Sequence, residues 1–215
     1  MISHLGAMLP VITGAVLARR RLGQQTVGFA YFGDGASSTG DFHEGLNFAS
    51  VMDVPVIFVL ENNQYAYSTP VARQYRCRHL ADRAVGYGMK GYRVDGNDAV
   101  GLYCFMRDLV AEVRRESRPV LVECETMRMR GHGEHDDFSY VPRRLLKKYE
   151  RRDPIRRAIA ALTEAGVFRE EEIRHLDAEC EREVTEAYRR ALAEPAPDPA
   201  TLEEVVYATS GTDVS

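Results

Sequence analysis

Paired cysteines are missing from this chain. Cys77, Cys104, Cys124 and Cys180 are scattered without a CxxC pair, which signals neither a zinc knuckle nor a disulfide framework and fits a reducing cytoplasm. A surplus of charge is missing as well. The balance of 28 Lys plus Arg against 32 Asp plus Glu leaves a net charge of -4, with no general attraction to nucleic acid or to an anionic membrane. Basic residues cluster at Arg19-Arg20-Arg21, Arg143-Arg144 and Arg151-Arg152, and solvated helix faces account for them. No apolar run approaches the length that crosses a bilayer. The stretch Leu5 to Ala18 is broken by Gly6, Pro10, Thr13 and Gly14 and has its arginines behind it, whereas an export signal carries positive charge in front, so it reads as a buried helix. Internal repeats are absent, and so is the phosphate loop that ends in Gly-Lys-Ser or Gly-Lys-Thr. The dinucleotide fingerprint fails too, because Ser38 stands at the sixth position from Gly33, where a glycine is needed.

What is there suffices for one good core: 215 residues, 45% of them hydrophobic. Val11, Ala15, Ala18 and Leu22 recur at helical spacing up to Gly23 and predict a first helix, with three arginines at the negative end of its dipole. Strands are predicted at Thr26 to Phe32, at Pro55 to Leu60, around Tyr92-Arg93-Val94 and at Pro119 to Cys124. Between the first two, Asp41 and Glu44 have capping-box spacing, and Phe42, Leu46 and Ala49 form an apolar stripe. Val100, Tyr103 or Cys104, Leu109 and Val113 suggest another helix. Alternating strands and helices, with a continuously apolar second strand, imply an α/β fold: a doubly wound, mostly parallel sheet with helices on both faces. The polar, glycine-rich stretch 130–137 reads as an exposed loop. Asp153-Pro154 starts a helix whose buried face is Ile155, Ala158, Ile159 and Leu162. Ile173, Leu176, Cys180, Val184, Ala187 and Ala191 mark a last, long one. The α/β domain is accordingly placed at 1–150, with 151–215 as its C-terminal helical extension.

Two turns carry the chemistry. Gly33-Asp34-Gly35 closes the first strand, and Asn62-Asn63 closes the second. Either alone is an ordinary turn. Together, on parallel strands joined by a crossover helix, they bring a carboxylate and a carboxamide to one edge of the sheet. The result is an oxygen-rich pocket suited to magnesium that already carries phosphate oxygens.

With these turns the chain resembles the alpha subunit of the thiamine diphosphate-dependent decarboxylating component of 2-oxoacid dehydrogenase complexes. The resemblance runs through Ser3 to Pro10, Gly33 to Asp41, Glu61 to Pro70, Tyr92 to Asp98 and Arg130-Gly131-His132, and its middle stretches are most similar to branched-chain and pyruvate dehydrogenase alpha chains. It implies the thiamine diphosphate-binding fold, with thiamine diphosphate and magnesium as cofactors. By the resemblance, Asp34 and Asn63 give side-chain oxygens to the metal and Tyr65 its main-chain carbonyl, while Gly35 and Ala36 offer amides to the diphosphate. Ser3 and Leu5 lie where the family places the aminopyrimidine end, and the Leu5 side chain would prop the bent cofactor. His132 falls near the diphosphate and the reaction centre, as the catalytic residue that stabilises intermediates or relays protons.

The same resemblance implies a small 2-oxo acid as substrate, a beta subunit that activates the cofactor ring, a unit of two alpha and two beta chains, and acyl transfer to the lipoyl domain of the acyltransferase. An acetoin dehydrogenase alpha chain is the alternative enzyme. A truncated, non-catalytic paralogue that only binds subunits is the alternative from another class. Three departures from the family pattern stand out. Gly133 replaces a phosphorylatable serine, Met8 replaces a glutamine among potassium ligands, and Met1 stands almost on the binding region where the family carries a long upstream segment, which is either encoded elsewhere or missing from a fragment or shortened reading frame. A zinc-like reading of His132, Glu134 and His135 lacks the helical spacing that makes such ligands converge.

Overall fold

The computed structural model describes residues 4–202. In chain order its helices are α1 (Met8–Arg21), α2 (Gly40–Val51), α3 (Ala99–Glu116), α4 (Arg143–Glu150), α5 (Pro154–Glu164) and α6 (Glu170–Ala193). The strands are β1 (Gly28–Gly33), β2 (Val56–Asn62), β3 (Tyr65–Ala66), β4 (Thr69–Pro70), β5 (Lys90–Asp95) and β6 (Val120–Glu125). The chain divides into two compact units. One ends at Ala161 and the next begins at Leu162, so the division falls inside α5.

In the first unit four strands form one parallel sheet in the order β1-β2-β6-β5, the α/β layer that the strand and helix alternation predicts. Val56 to Leu60 of β2 are all buried, because both faces of the sheet are covered. On one face Leu9 and Val16 of α1 and Phe42, Leu46 and Ala49 of α2 pack over Phe32, Phe58 and Leu60. On the other, Leu109 and Val113 of α3 cover Ile57, Val59 and Val122. Among the described residues no helix is long and apolar enough to cross a membrane.

Three local expectations need correction. The buried face of α1 is Leu9, Thr13 and Val16, whereas Val11 and Leu22 are exposed. Thr13 can sit inside because its hydroxyl donates to the Leu9 carbonyl at 2.9 Å, and a pattern built from apolar residues alone passes over it. The N-cap of α2 is Thr39, whose side chain accepts from the Phe42 amide, so Asp41 lies in the first turn instead of capping. The expected buried face of α5 is not buried: Ile155 is exposed, and Ala158, Ile159 and Leu162 are only half-buried. In the second unit α6 has the expected extent, yet none of its residues is buried, and Leu176, Cys180 and Val184 are all open to solvent.

Candidate active site

The carboxyl ends of β1, β2 and β6 lie side by side, and the site is built from the segments that leave them. Gly33 pairs with Glu61, and Glu61 with Cys124, so Asp34 and the Asn62-Asn63 turn emerge at the same edge. The chain beyond β6 stays with them: the Thr126 amide donates to the Asn62 carbonyl at 3.0 Å and the Arg128 amide to the Asn63 carbonyl at 3.2 Å. Asp34 opens a 3-10 turn, Gly35–Ser38, which is tied by the Ser37 amide and hydroxyl to the Asp34 carbonyl. Gly35 allows this turn to meet β3, since a Cβ there would lie 2.7 Å from that of Ala66. The opening amides of such a turn, those of Gly35 and Ala36, have no partner within the turn itself.

Asp34 is 1% exposed. Gln74 Nε2 donates to its Oδ2 at 2.6 Å. Burial pushes its carboxyl above the ordinary aspartate range, against the pull of Gln74, of its own and the Asn63 main-chain amides, and of the Arg128 charge. The Asn63 amide itself donates to the Glu61 carbonyl at 2.9 Å, and because Glu61 is paired with Gly33 the Asn62-Asn63 turn leaves the sheet beside Asp34. Asn63 Oδ1 accepts from the Tyr65 amide at 3.2 Å, which fixes the carboxamide in an Asx turn. Asn62 faces the interior: its Nδ2 donates to Glu123 Oε1 at 2.6 Å and to the Tyr75 hydroxyl at 3.2 Å. Glu123, itself buried, also accepts from the Ala81 amide at 2.9 Å. A buried carboxylate short of neutralising charge, a carboxamide oxygen and a main-chain carbonyl are hard oxygen donors, and an acceptor beside them, Gln74 Oε1, is buried without a partner. This set fits a divalent cation that carries phosphate.

Arg128 organises the other side. It donates to the Tyr65 carbonyl at 3.4 Å, to the Tyr67 carbonyl at 2.8 Å and to the Tyr140 hydroxyl at 2.6 Å. The Tyr65 carbonyl therefore has one lone pair engaged and one left. Arg128 Nη1 also lies 3.4 Å from His132 Nδ1. Because a guanidinium only donates, a hydrogen bond along this contact makes Nδ1 the acceptor. His132 is exposed, with its ring edge-on to Tyr67, and its amide donates to Asp136 at 2.6 Å. That amide, followed by the Tyr140 hydroxyl, holds the Asp136 carboxyl down at about 2. The loop after β6 is in this way folded onto β3, which brings His132 to the Tyr65 segment.

Leu5 is exposed and has a positive φ of 31°. It does not pack against the sheet. Gly6 beside it lies so close to the start of α2 that a Cβ would come within 2.5 Å of Thr39 Oγ1. Non-glycine residues with positive φ recur round the site, at Gln64 and Tyr67 and at Phe138 in the His132 loop, and such conformations gather at ligand-binding positions. Ser3 lies outside the described residues. His132, Glu134 and His135 form no metal cluster: among the described residues no three His, Cys, Asp or Glu side chains converge, and His135 Nε2 instead faces the Tyr67 hydroxyl at 3.4 Å. Sequence reasoning missed Gln74 and Arg128. Arg128 had a faint signal, a charge just past a buried strand; Gln74, in an irregular segment, had none.

A parallel α/β sheet of this kind takes its ligands at the carboxyl edge of its strands, where the Asp34 and Asn62-Asn63 turns lie. This chain belongs to the dehydrogenase E1 component family, whose sequence model matches residues 2–200. It is 37% identical over 207 residues to the 2-oxoisovalerate dehydrogenase subunit alpha of Bacillus subtilis (strain 168), covering 96% of this chain and 63% of that one. It is also 37% identical to the mitochondrial 2-oxoisovalerate dehydrogenase subunit alpha of Homo sapiens, covering 95% of this chain and 46% of the human one. The pyruvate dehydrogenase E1 component subunit alpha of Bacillus subtilis (strain 168) is 33% identical, with 94% and 55% covered. The chain thus spans about half the length of the curated relatives it matches.

Proposed function

We propose that this chain is the alpha chain of a thiamine diphosphate- and magnesium-dependent 2-oxoacid dehydrogenase component, which decarboxylates a 2-oxo acid oxidatively and passes the acyl group to a lipoyl arm. The observation that carries this reading is that the Asp34 and Asn63 turns leave neighbouring parallel strands at one edge of the sheet, with Gly33 paired to Glu61 and the Asp34 carboxylate buried there. Asp34, Asn63 Oδ1 and the Tyr65 carbonyl would hold the cation, and the Gly35 and Ala36 amides the diphosphate. What thiamine diphosphate supplies when bound is a nucleophilic carbon and an electron sink for decarboxylation. The chain's own part is to bind and orient. Leu5 presents an exposed apolar side chain next to the α2 start, and His132, its Nδ1 satisfied by Arg128, offers Nε2–H to an anionic oxygen.

Activation of the cofactor ring falls to a beta subunit, in a unit of two alpha and two beta chains that docks a lipoyl domain. The four cysteines are free, which suits a cytoplasmic location. The test is to produce the chain together with its beta subunit and to assay decarboxylation of pyruvate, branched-chain 2-oxo acids and acetoin, with Asp34→Ala as control. Turnover of a 2-oxo acid that vanishes in the control is expected. Turnover of acetoin alone makes the chain an acetoin dehydrogenase component, and activity that survives in Asp34→Ala removes the metal assignment.

A further inference from the structure

Gln74 has no place in the site as the sequence presents it, but the structure sets it against the residue on which that site depends. Its Nε2 donates to Asp34 Oδ2 at 2.6 Å and to the Thr69 carbonyl at 3.0 Å. With two acceptors in front of it, the amide has only one tenable orientation, because a flip would turn Oε1 against both oxygens. Oε1 is therefore fixed as well. It is buried and accepts from nothing, and it alone among the buried side-chain polar atoms described lacks a partner. The two ends of a carboxamide are only ~2.3 Å apart, so this orphaned acceptor sits within reach of whatever Asp34 binds. An unfilled buried acceptor is unfavourable, and one held this rigidly beside a buried carboxylate calls for a donor that arrives with the ligand.

We propose that Gln74 is a positioning residue of the cation site. Its Nε2 holds Asp34 by one oxygen and leaves the other to face the metal, and its Oε1 accepts a hydrogen bond from a water that the metal carries. This rests on the metal reading of Asp34 given above. Magnesium keeps several waters when protein carboxylates bind it, and groups that hold such waters and ligands in place tune affinity strongly. The bland alternative is a staple: Gln74 ties the segment after β4 to the β1 turn, and an ordinary water fills Oε1.

Two variants separate these readings by titration with Mn2+ in the presence of thiamine diphosphate, followed by electron paramagnetic resonance, with thermal unfolding recorded with and without Mg2+. The samples are the chain together with its beta subunit. Gln74→Leu removes donor and acceptor alike and is expected to weaken Mn2+ binding about 10- to 100-fold. Gln74→Glu keeps an oxygen but sets a second carboxylate against Asp34. It is expected to lower the unfolding temperature without metal and to enlarge the rise that Mg2+ brings above the wild-type rise. A staple predicts the opposite, equal losses with and without metal in Gln74→Leu and Mn2+ affinity within twofold of wild type, and that result overturns the proposal. If Mn2+ binding is lost in Asp34→Ala but intact in Gln74→Leu, the role of Gln74 falls and the site stands. If the wild type shows no saturable binding, the site reading fails first and takes this proposal with it.

Discussion

Replacing Asp34 by Asn removes one charge and almost no volume, and its effect should change sign with the metal. In the metal-free chain the ionised carboxylate is a burden on the fold, because burial raises its pKa above the ordinary value of 3.8. A group whose folded pKa is raised contributes stability that is present below its unfolded pKa and lost as pH rises through the folded one. Metal-free Asp34→Asn is therefore expected to unfold at a higher temperature than wild type near pH 7, with the gap closing as pH falls below the ordinary aspartate value. Cation and cofactor reverse the order. At a concentration about 100 times the dissociation constant, binding stabilises the wild type by about 2.7 kcal/mol. At roughly 2–4 °C per kcal/mol for a chain of this size, the gain is ~5–10 °C. The variant, without the anionic oxygen, should gain little. The chain has no tryptophan, so circular dichroism or calorimetry serves better than tryptophan fluorescence. A variant that keeps the whole metal-dependent gain, or that is less stable than wild type at every pH without metal, refutes the reasoning.

Gly35→Ala should destabilise the chain by about 1–3 kcal/mol by overpacking, because its Cβ would lie 2.7 Å from that of Ala66. The double variant Gly35→Ala with Ala66→Gly should recover most of that loss, and a double-mutant cycle with no coupling would contradict the contact. Glu123→Val leaves Asn62 Nδ2 with only the Tyr75 hydroxyl and the Ala81 amide without its acceptor, so a loss of about 2–4 kcal/mol in urea unfolding is expected; a neutral result would show that the buried carboxylate does not secure the asparagine turn. Asp136 is held at about 2, below its ordinary 3.8, by the His132 amide and then by the Tyr140 hydroxyl. A lowered carboxyl contributes stability above its unfolded pKa that is lost as pH falls through the folded one. The loop 131–140 should therefore become open to an acid protease between about pH 4 and pH 2, and equal cleavage across that range would speak against the pairing.

How far the fold can be read in the sequence depends on whether a residue's role is set by its neighbours in the chain. The apolar run of β2 and the stripe Phe42, Leu46 and Ala49 are local patterns, and all these helix positions are fully buried. The meeting of Asp34 with Asn63 follows from parallel strands alone. The phase of α1 does not, because a buried threonine satisfied within its own helix looks polar in sequence. The α2 cap is hidden because Asp41 and Glu44 have the right spacing two residues too late, and only the extended backbone of Thr39 decides between the candidates. Arg128 and Gln74 escape for a deeper reason. Their roles consist of contacts across 61–63 and 40 residues of chain, which no periodicity encodes. The exposed stripe of α6 makes the same point in reverse, since helical spacing reports an apolar face but not what covers it.

The central claim is that two distant turns hold one ion that anchors a diphosphate. Its most direct test is a crystal of the chain with its beta subunit, thiamine diphosphate and Mn2+, with the ion located by anomalous scattering. A single peak bonded to Asp34, Asn63 Oδ1 and the Tyr65 carbonyl, with the diphosphate against the Gly35 and Ala36 amides, is the predicted result. A peak elsewhere, with Asp34 still bonded only to Gln74, would contradict it.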